Sequence, residues 1–230
     1  VEAARILYLP SALEVNTFAH GQAELIKFKI PEGNILDGMT IKDIGQHIDT
    51  KVLICAVERN GEVHIPDGNF TLVAGDIASF VSSRKKVKEF LVAIGFKTNK
   101  VKDTMIIGGG KSTYYLAKRL IRNGISVKII ESDRTRCEEL SKLLPKAIII
   151  NGDGTDEDLL KEEGIEYVES FVPLTGIDEE NILLTLFARQ VSGAKVITKI
   201  NRINFRDVIN TLDLGSVIYS NYITAEALIA

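Results

Sequence analysis

The sequence predicts an α/β protein in two parts: a doubly wound parallel sheet over residues 101–230, preceded by a small α+β domain over residues 21–97. Three observations carry that expectation. The periodicity changes near residue 100, from short alternating stretches to apolar runs that alternate strictly with helical segments. The later strands are nearly all apolar, as strands covered on both faces must be. A glycine cluster, Gly108-Gly109-Gly110, stands where the first of those strands gives way to a helix.

In the first half, Ala23 to Ile30 alternates apolar and polar residues, stops at Pro31 and reads as a strand. Met39 to His47 reads as a short helix. Lys51 to Arg59 is a strand that returns through the Asn60-Gly61 turn, a pair suited to a tight hairpin, into Val63 to Pro66. Ile77 to Ser82 is a further strand, after the turn Ala74-Gly75-Asp76. Arg84 to Ile94 is an amphipathic helix with Val87, Phe90, Leu91 and Ile94 on its apolar side, ended by Gly95. Lys97 to Asp103 is a polar linker.

The second half alternates throughout. Strands are expected at Thr104–Gly108, Ser126–Glu131, Ala147–Asn151, Ser170–Leu174, Lys195–Ile200 and Ser216–Ser220. Helices are expected at Ser112–Asn123, Arg134–Leu144, Asp156–Glu163, Asp178–Val191 and Ile203–Leu212. Such a chain winds into a Rossmann-like sheet with strand order 3-2-1-4-5-6.

Composition narrows the function classes. With 28 basic against 31 acidic side chains and a net charge of -3, the chain has no field suited to nucleic acid. No apolar run is long enough to cross a bilayer, and the first residues lack the pattern of a signal peptide. Cys55 and Cys137 lie too far apart for a zinc site and are too few for a disulfide framework, which suits a reducing compartment. His20, His47 and His64 show no metal-ligand spacing and read as structural or exposed residues.

The chemistry concentrates at the strand ends of the second half. Gly108 and Gly110 fit the first two glycines of G-x-G-x-x-G: one for a tight turn, the next for backbone approach to a pyrophosphate at a helix N-terminus. Thr113 occupies the place of the third glycine, where its branched side chain is expected to hold the helix off the sheet. Lys111 and Ser112 open the helix and can face phosphates. A phosphate-loop reading fails, because Met105 stands where that motif needs glycine. Glu131, followed by Ser132, closes the second strand, where an acid accepts hydrogen bonds from adenosine ribose hydroxyls and repels a 2′-phosphate. Gly152-Asp153-Gly154 follows the third strand and borders the adenine position. Thr175-Gly176 follows the fourth, across the crevice from the glycine turn, with Thr175 or Asp178 as helix cap. Lys199 ends the fifth as a further candidate phosphate contact.

Taken in order, Gly108-Gly109-Gly110, Glu131, Asn151 to Thr155 and Leu174 to Ile182 resemble the nucleotide-binding domain that regulates conductance of potassium (RCK, or KTN), in its TrkA-type form. Residues 21–97 resemble its small companion domain, chiefly through Pro31 to Thr40 and Ala74-Gly75-Asp76. The resemblance implies that the chain is the middle of a tandem protein: the small domain of one unit joined to the nucleotide domain of the next. Residues 1–20 would then end a preceding connecting segment, and Thr224 to Ala230 would begin another. It further implies binding of NAD(H) or ATP/ADP, self-association as a dimer or higher ring, and a cytoplasmic place against the inner face of the membrane. The partner it implies is an integral-membrane potassium transporter or channel subunit, with no insertion into the bilayer by this chain. Pairing is expected through Ile203 to Ala230, where Ile203, Phe205, Val208, Ile209 and Leu212 exceed the apolar needs of one helix face.

Two competing readings stand beside this one. A small NAD-dependent oxidoreductase, similar to precorrin-2 oxidase, would need an acid–base group beside the nicotinamide, yet residues 101–230 contain no histidine. A pure assembly module would carry the glycine turn without using it.

Overall fold

The computed structural model describes residues 2–18, 22–48, 52–96, 98–202, 209 and 212–219. The chain divides into two compact units, Ala4–Lys100 and Val101–Ala230.

In the first unit, helix α1 (Glu2–Tyr8) precedes strands β1 (Glu14–Phe18) and β2 (Ala23–Lys29). Helix α2 (Ile41–His47) and strands β3 (Leu53–Arg59), β4 (Glu62–His64) and β5 (Ile77–Ser82) follow, then helix α3 (Arg84–Ala93). The strands form one sheet in the order β1-β2-β5-β3-β4, antiparallel throughout. β1 lies inside residues 1–20, which were expected only as the end of a connecting segment; instead it pairs along β2 as an edge strand. The β3–β4 hairpin closes through Asn60 and Gly61 with φ of 55° and 82°, the left-handed pair that an Asn-Gly turn supplies without strain. The core is aromatic. Phe28 meets Phe80 edge-on at 5.3 Å, and Phe90 from α3 tilts against Phe80 at 5.0 Å. Val87, Leu91 and Ile94 are buried with them.

Among the described residues of this unit, one charged group is sealed inside. Asp76 is 1% exposed and accepts from Arg59 Nε and Nη2 at 2.8 Å each and from the Val73 amide at 2.9 Å. Arg59 also donates to the Thr71 carbonyl and lies over the Phe70 ring. Burial alone would raise the Asp76 carboxyl, but the Arg59 bond and charge and the Val73 amide hold it below its ordinary value.

The second unit runs β6 (Asp103–Ile107), α4 (Lys111–Arg122), β7 (Ser126–Glu131), α5 (Arg134–Leu143) and β8 (Ile148–Asn151). It continues through α6 (Glu157–Glu162), β9 (Ser170–Pro173), α7 (Asp178–Val191), β10 (Lys195–Ile200) and β11 (Ser216–Tyr219). All five pairings are parallel, in the order β11-β10-β9-β6-β7-β8, which is the expected 3-2-1-4-5-6 read from the other edge. α6 and α7 bury Leu160, Leu184 and Ala188 against Met105, Ile107, Phe171 and Val196. α4 and α5 turn Leu116, Ala117, Leu120, Cys137 and Leu140 inward. Each large apolar side chain fully buried in this way stabilises the fold by about 1.5–3 kcal/mol.

The sheet order reverses between β6 and β9, so the segments that follow them lead off in opposite directions, toward β7 and β10, and leave a crevice at the paired strand ends. The helix expected over Ile203–Leu212 lies largely outside the described residues; Ile209 is buried with Ile200 and Leu214. Among the described residues no helix is long and apolar enough to cross a membrane.

Candidate functional site

The glycine turn is the fixed wall of the crevice. Gly108 has φ of +93°, and a Cβ there would lie 3.1 Å from the Leu174 carbonyl oxygen, so both the backbone and the opposite loop demand glycine. At Gly109 a side chain would strike Leu140 and the Glu131 carboxylate. Gly110, the N-cap of α4, has open space where its side chain would be, which leaves backbone exposed to a ligand.

Glu131 is fixed by the turn it borders. Its Oε2 accepts from the Gly109 amide at 2.5 Å, and its Oε1 accepts from the Asp133 amide at 2.8 Å. Arg136, in the first turn of α5, donates from Nε to the Gly109 carbonyl at 2.6 Å and from Nη1 to Glu139. The Gly109 peptide is therefore clamped at both ends by side chains from the β7–α5 connection. Asn151 donates to the carbonyls of Glu131 and Ser132 and ties β8 to the same corner.

Thr113 corrects the expectation made for it. It is fully buried, and its hydroxyl donates to the Gly108 carbonyl at 2.5 Å. The residue in the third-glycine position thus ties α4 to the turn instead of holding it away. Its one donor is spent on the protein, and Thr113 does not line the crevice.

The opposite wall is the loop after β9. Asn181, on α7 and fully buried, holds it with its whole amide. Oδ1 accepts from the Thr175 amide at 2.9 Å and its hydroxyl at 3.0 Å, while Nδ2 donates to the carbonyls of Thr175 at 3.3 Å and Lys199 at 3.1 Å. The cap of α7 is neither candidate: Ile177 occupies the N-cap without a side-chain bond. Asp178 instead turns its buried carboxylate to the amides of Asn201 and Arg202 at 2.9 and 2.8 Å. Thr175 Oγ accepts from the Ile177 amide and shapes the turn before the helix.

The cavity between the walls measures about 520 Å³. Gly108, Gly109, Gly110, Glu131, Ser132, Asp153, Thr175 and Gly176 line it, as the strand-end pattern requires. Gly152 does not; the place of its side chain is filled by Leu159. Lys111 and Ser112 are exposed on the first turn of α4, beside the lining and not in it. Lys199 is half-buried with Nζ donating to the Thr175 carbonyl at 3.3 Å, so it braces the far wall. Gly154, named with Asp153 from the sequence, also lines it; lining residues given no role from the sequence are Thr155 and Glu180, with Ile107, Ile130 and Leu174 as the apolar floor. Asp153 accepts from the Thr155 amide and hydroxyl at 2.8 Å, and these bonds, the amide first, lower its carboxyl below the ordinary value. Thr155 and Glu180 were legible only as members of the two strings that carry the family resemblance, Asn151 to Thr155 and Leu174 to Ile182.

Comparison with known proteins bears on the family and the fold. The profile of the TrkA-N domain matches residues 104–220, and that of the TrkA-C domain matches residues 25–95. The chain is 32% identical over 231 residues to the Trk system potassium uptake protein TrkA of Haemophilus influenzae, covering 99% of this chain and 50% of that protein. It is 37% identical over 201 residues to a TrkA homolog of Archaeoglobus fulgidus, covering 87% of this chain and 45% of that protein. The chain thus spans about half the length of the curated relatives it matches. Among solved structures, a GsuK channel bound to NAD superposes with a TM-score of 0.63 at 19% identity, over 98% of this chain and 40% of that one, a likeness of fold.

Proposed function

Because the chain belongs to the TrkA family of potassium-uptake proteins, we propose that its second unit is a nucleotide sensor that regulates potassium transport through a membrane-embedded partner. The observation that carries this is the crevice at the sheet's reversal point. There an open glycine backbone at the start of α4 lies beside a carboxylate held at the end of β7. Phosphates would meet the amides opening α4, where the helix dipole favours anions. The Glu131 oxygens keep lone pairs for ribose hydroxyls after accepting from two backbone amides. The same carboxylate would repel a 2′-phosphate, which favours NAD(H) or ATP/ADP over NADP(H).

The family relatives are potassium uptake proteins by name, so the partner proposed is an integral-membrane potassium transporter or channel subunit, with this chain on the cytoplasmic side. Occupancy of the crevice would shift the arrangement of self-associated copies and, through it, ion flux. The protein binds the cofactor and does not turn it over.

Calorimetry with NAD+, NADH, ATP, ADP and NADPH tests the sensor reading. Binding of at least one of the first four is expected, with NADPH the weakest. Glu131→Ala should weaken binding by about 1–3 kcal/mol through lost charged hydrogen bonds; unchanged affinity would remove Glu131 from the site. Potassium flux through the complete complex should respond to the same nucleotide. Steady consumption of NADH with a metabolite, abolished by Glu131→Ala, would instead identify the oxidoreductase.

A further inference from the structure

The crevice is electrostatically one-sided. Glu131, Asp153 and Glu180 line it, and among the described residues no lysine, arginine or histidine does. Of the cations beside it, Arg136 and Lys199 are turned to the backbone carbonyls of Gly109 and Thr175, and Lys111 stands exposed at the glycine-turn end, away from the Glu180 wall. Two of the three acids are already committed, Glu131 to the amides of Gly109 and Asp133, Asp153 to Thr155. Glu180 differs from them. It is half-buried in the first turn of α7, lines the cavity, and has no hydrogen-bond or ion-pair partner among the described residues.

Its position along the crevice gives that charge a consequence. Strands β7, β6 and β9 are neighbours in the sheet, so Glu131, the glycine turn and the Thr175–Glu180 wall succeed one another across about 10 Å. This step rests on the reading that the crevice takes an adenine nucleotide with its ribose at Glu131 and its first phosphates on the glycine turn. The remainder of such a ligand then projects to the wall that holds Glu180. A helix N-terminus at that wall would ordinarily welcome a phosphate. Here the first turn carries Asp178, Glu179 and Glu180, and Glu180 puts its charge on the cavity side.

We propose that Glu180 sorts adenine nucleotides by what lies beyond their first phosphates, favouring a dinucleotide and rejecting ADP and ATP. ADP and ATP place a terminal phosphate, with its full charge, toward a carboxylate that has no cationic partner among the described residues. A dinucleotide places a ribose there, whose hydroxyls donate to the carboxylate. In its oxidised form it adds a cationic ring, so NAD+ is held more tightly than NADH. Glu180 is thus a specificity residue, distinct in role from Glu131, which reads the adenosine ribose common to all four ligands.

The test is parallel calorimetry of NAD+, NADH, ADP and ATP against the wild-type chain, Glu180→Gln and Glu180→Lys, at low and high salt. The wild type is expected to bind NAD+ more tightly than ATP. Glu180→Gln should tighten ATP by about 5–10-fold, as removal of a nearby like charge allows, and should weaken NAD+, which loses the carboxylate that faces its ribose and cationic ring. Glu180→Lys should move the ATP-to-NAD+ ratio further in the same direction, and high salt should shrink both changes. A ratio that stays constant in both variants, or a wild type that already prefers ATP, overturns the role of Glu180 while leaving the nucleotide site standing. A wild type that binds none of the four overturns the nucleotide reading and this proposal with it.

Discussion

Asp76 in the first unit and Asn181 in the second do the same mechanical work by different chemistry. Each is buried and fixes a loop at the ends of strands: Asp76 the turn before β5, Asn181 the loop between β9 and α7. Asp76 uses charge, with Arg59 as its partner and a third of that arginine side chain still exposed to water. Asn181 uses a neutral amide whose donors and acceptor are all taken by Thr175 and Lys199. Asn181 brings no charge of its own to the crevice wall, where Lys199 adds a charged contact to the same Thr175 carbonyl. The charged brace is sealed at the start of β5 instead. The contrast teaches that a loop's polar anchor is constrained by what else must happen nearby, as well as by the hydrogen bonds it has to make.

The charged brace should be the costlier to break. Asp76→Ala leaves Arg59 without its partner and the Val73 amide without an acceptor, and we expect a loss of about 3 kcal/mol. Segment-resolved hydrogen exchange should place the loss in residues 4–100. The same residue gives the first unit an acid sensitivity. The Asp76 carboxyl is held below its unfolded value, so its contribution is complete above the unfolded pKa, about 3.9. It is lost as pH falls through the lower folded value. The stability gap between wild type and Asp76→Ala should therefore be constant near neutrality and close as the solution is acidified below pH ~4. A gap independent of pH in that window would mean that Asp76 acts through packing and not through its charge.

The neutral brace should cost less and show no such titration. Asn181→Leu keeps the volume but strands the Thr175 amide and takes a donor from the carbonyls of Thr175, which keeps Lys199, and of Lys199, for an expected loss of about 2 kcal/mol. It should also loosen the far wall, so nucleotide affinity should fall together with protection of the Thr175 amide from exchange. Full affinity with lowered stability would separate the brace from the site and dissolve the parallel with Asp76.

How much of this was legible in the sequence follows from the range of the interactions. The parallel sheet, its order and the glycine turn are written in local signals: apolar runs, helix stops and a turn that only glycine accommodates. The place of Glu131 on the crevice was legible because it depends on one strand end. The braces were not. Asp76 was read only as part of a turn, because its partner Arg59 lies 17 residues away on another strand. Asn181 was read only as part of a family-like string, because its value comes from Thr175 and Lys199 meeting in space. Strand β1 escaped for a similar reason: residues 14–18 alternate too little to announce themselves and become a strand by pairing with β2.

Thr113 is the smallest test and the most diagnostic of the near wall. Read as a substitute for glycine, it should push α4 off the sheet, and Thr113→Gly should then tighten nucleotide binding. The structure gives the side chain a different function, since its hydroxyl is bonded to the Gly108 carbonyl and its methyl group is buried. Thr113→Val keeps the shape and removes the donor, for an expected loss of about 1 kcal/mol in stability. Thr113→Gly removes the donor and the packing, and adds a helix cost of up to about 1 kcal/mol, so it should be the more damaging of the two. Both variants release one anchor of the peptide that starts the glycine turn, while Glu131 and Arg136 still hold Gly109. Nucleotide affinity should accordingly fall by only a few-fold in Thr113→Val, and further in Thr113→Gly, because the surviving clamps keep the amides close to their positions. Paired titrations of the two variants with one nucleotide decide the matter: tighter binding by Thr113→Gly would mean that the threonine strains the turn it touches, and that the near wall is held by Glu131 and Arg136 alone.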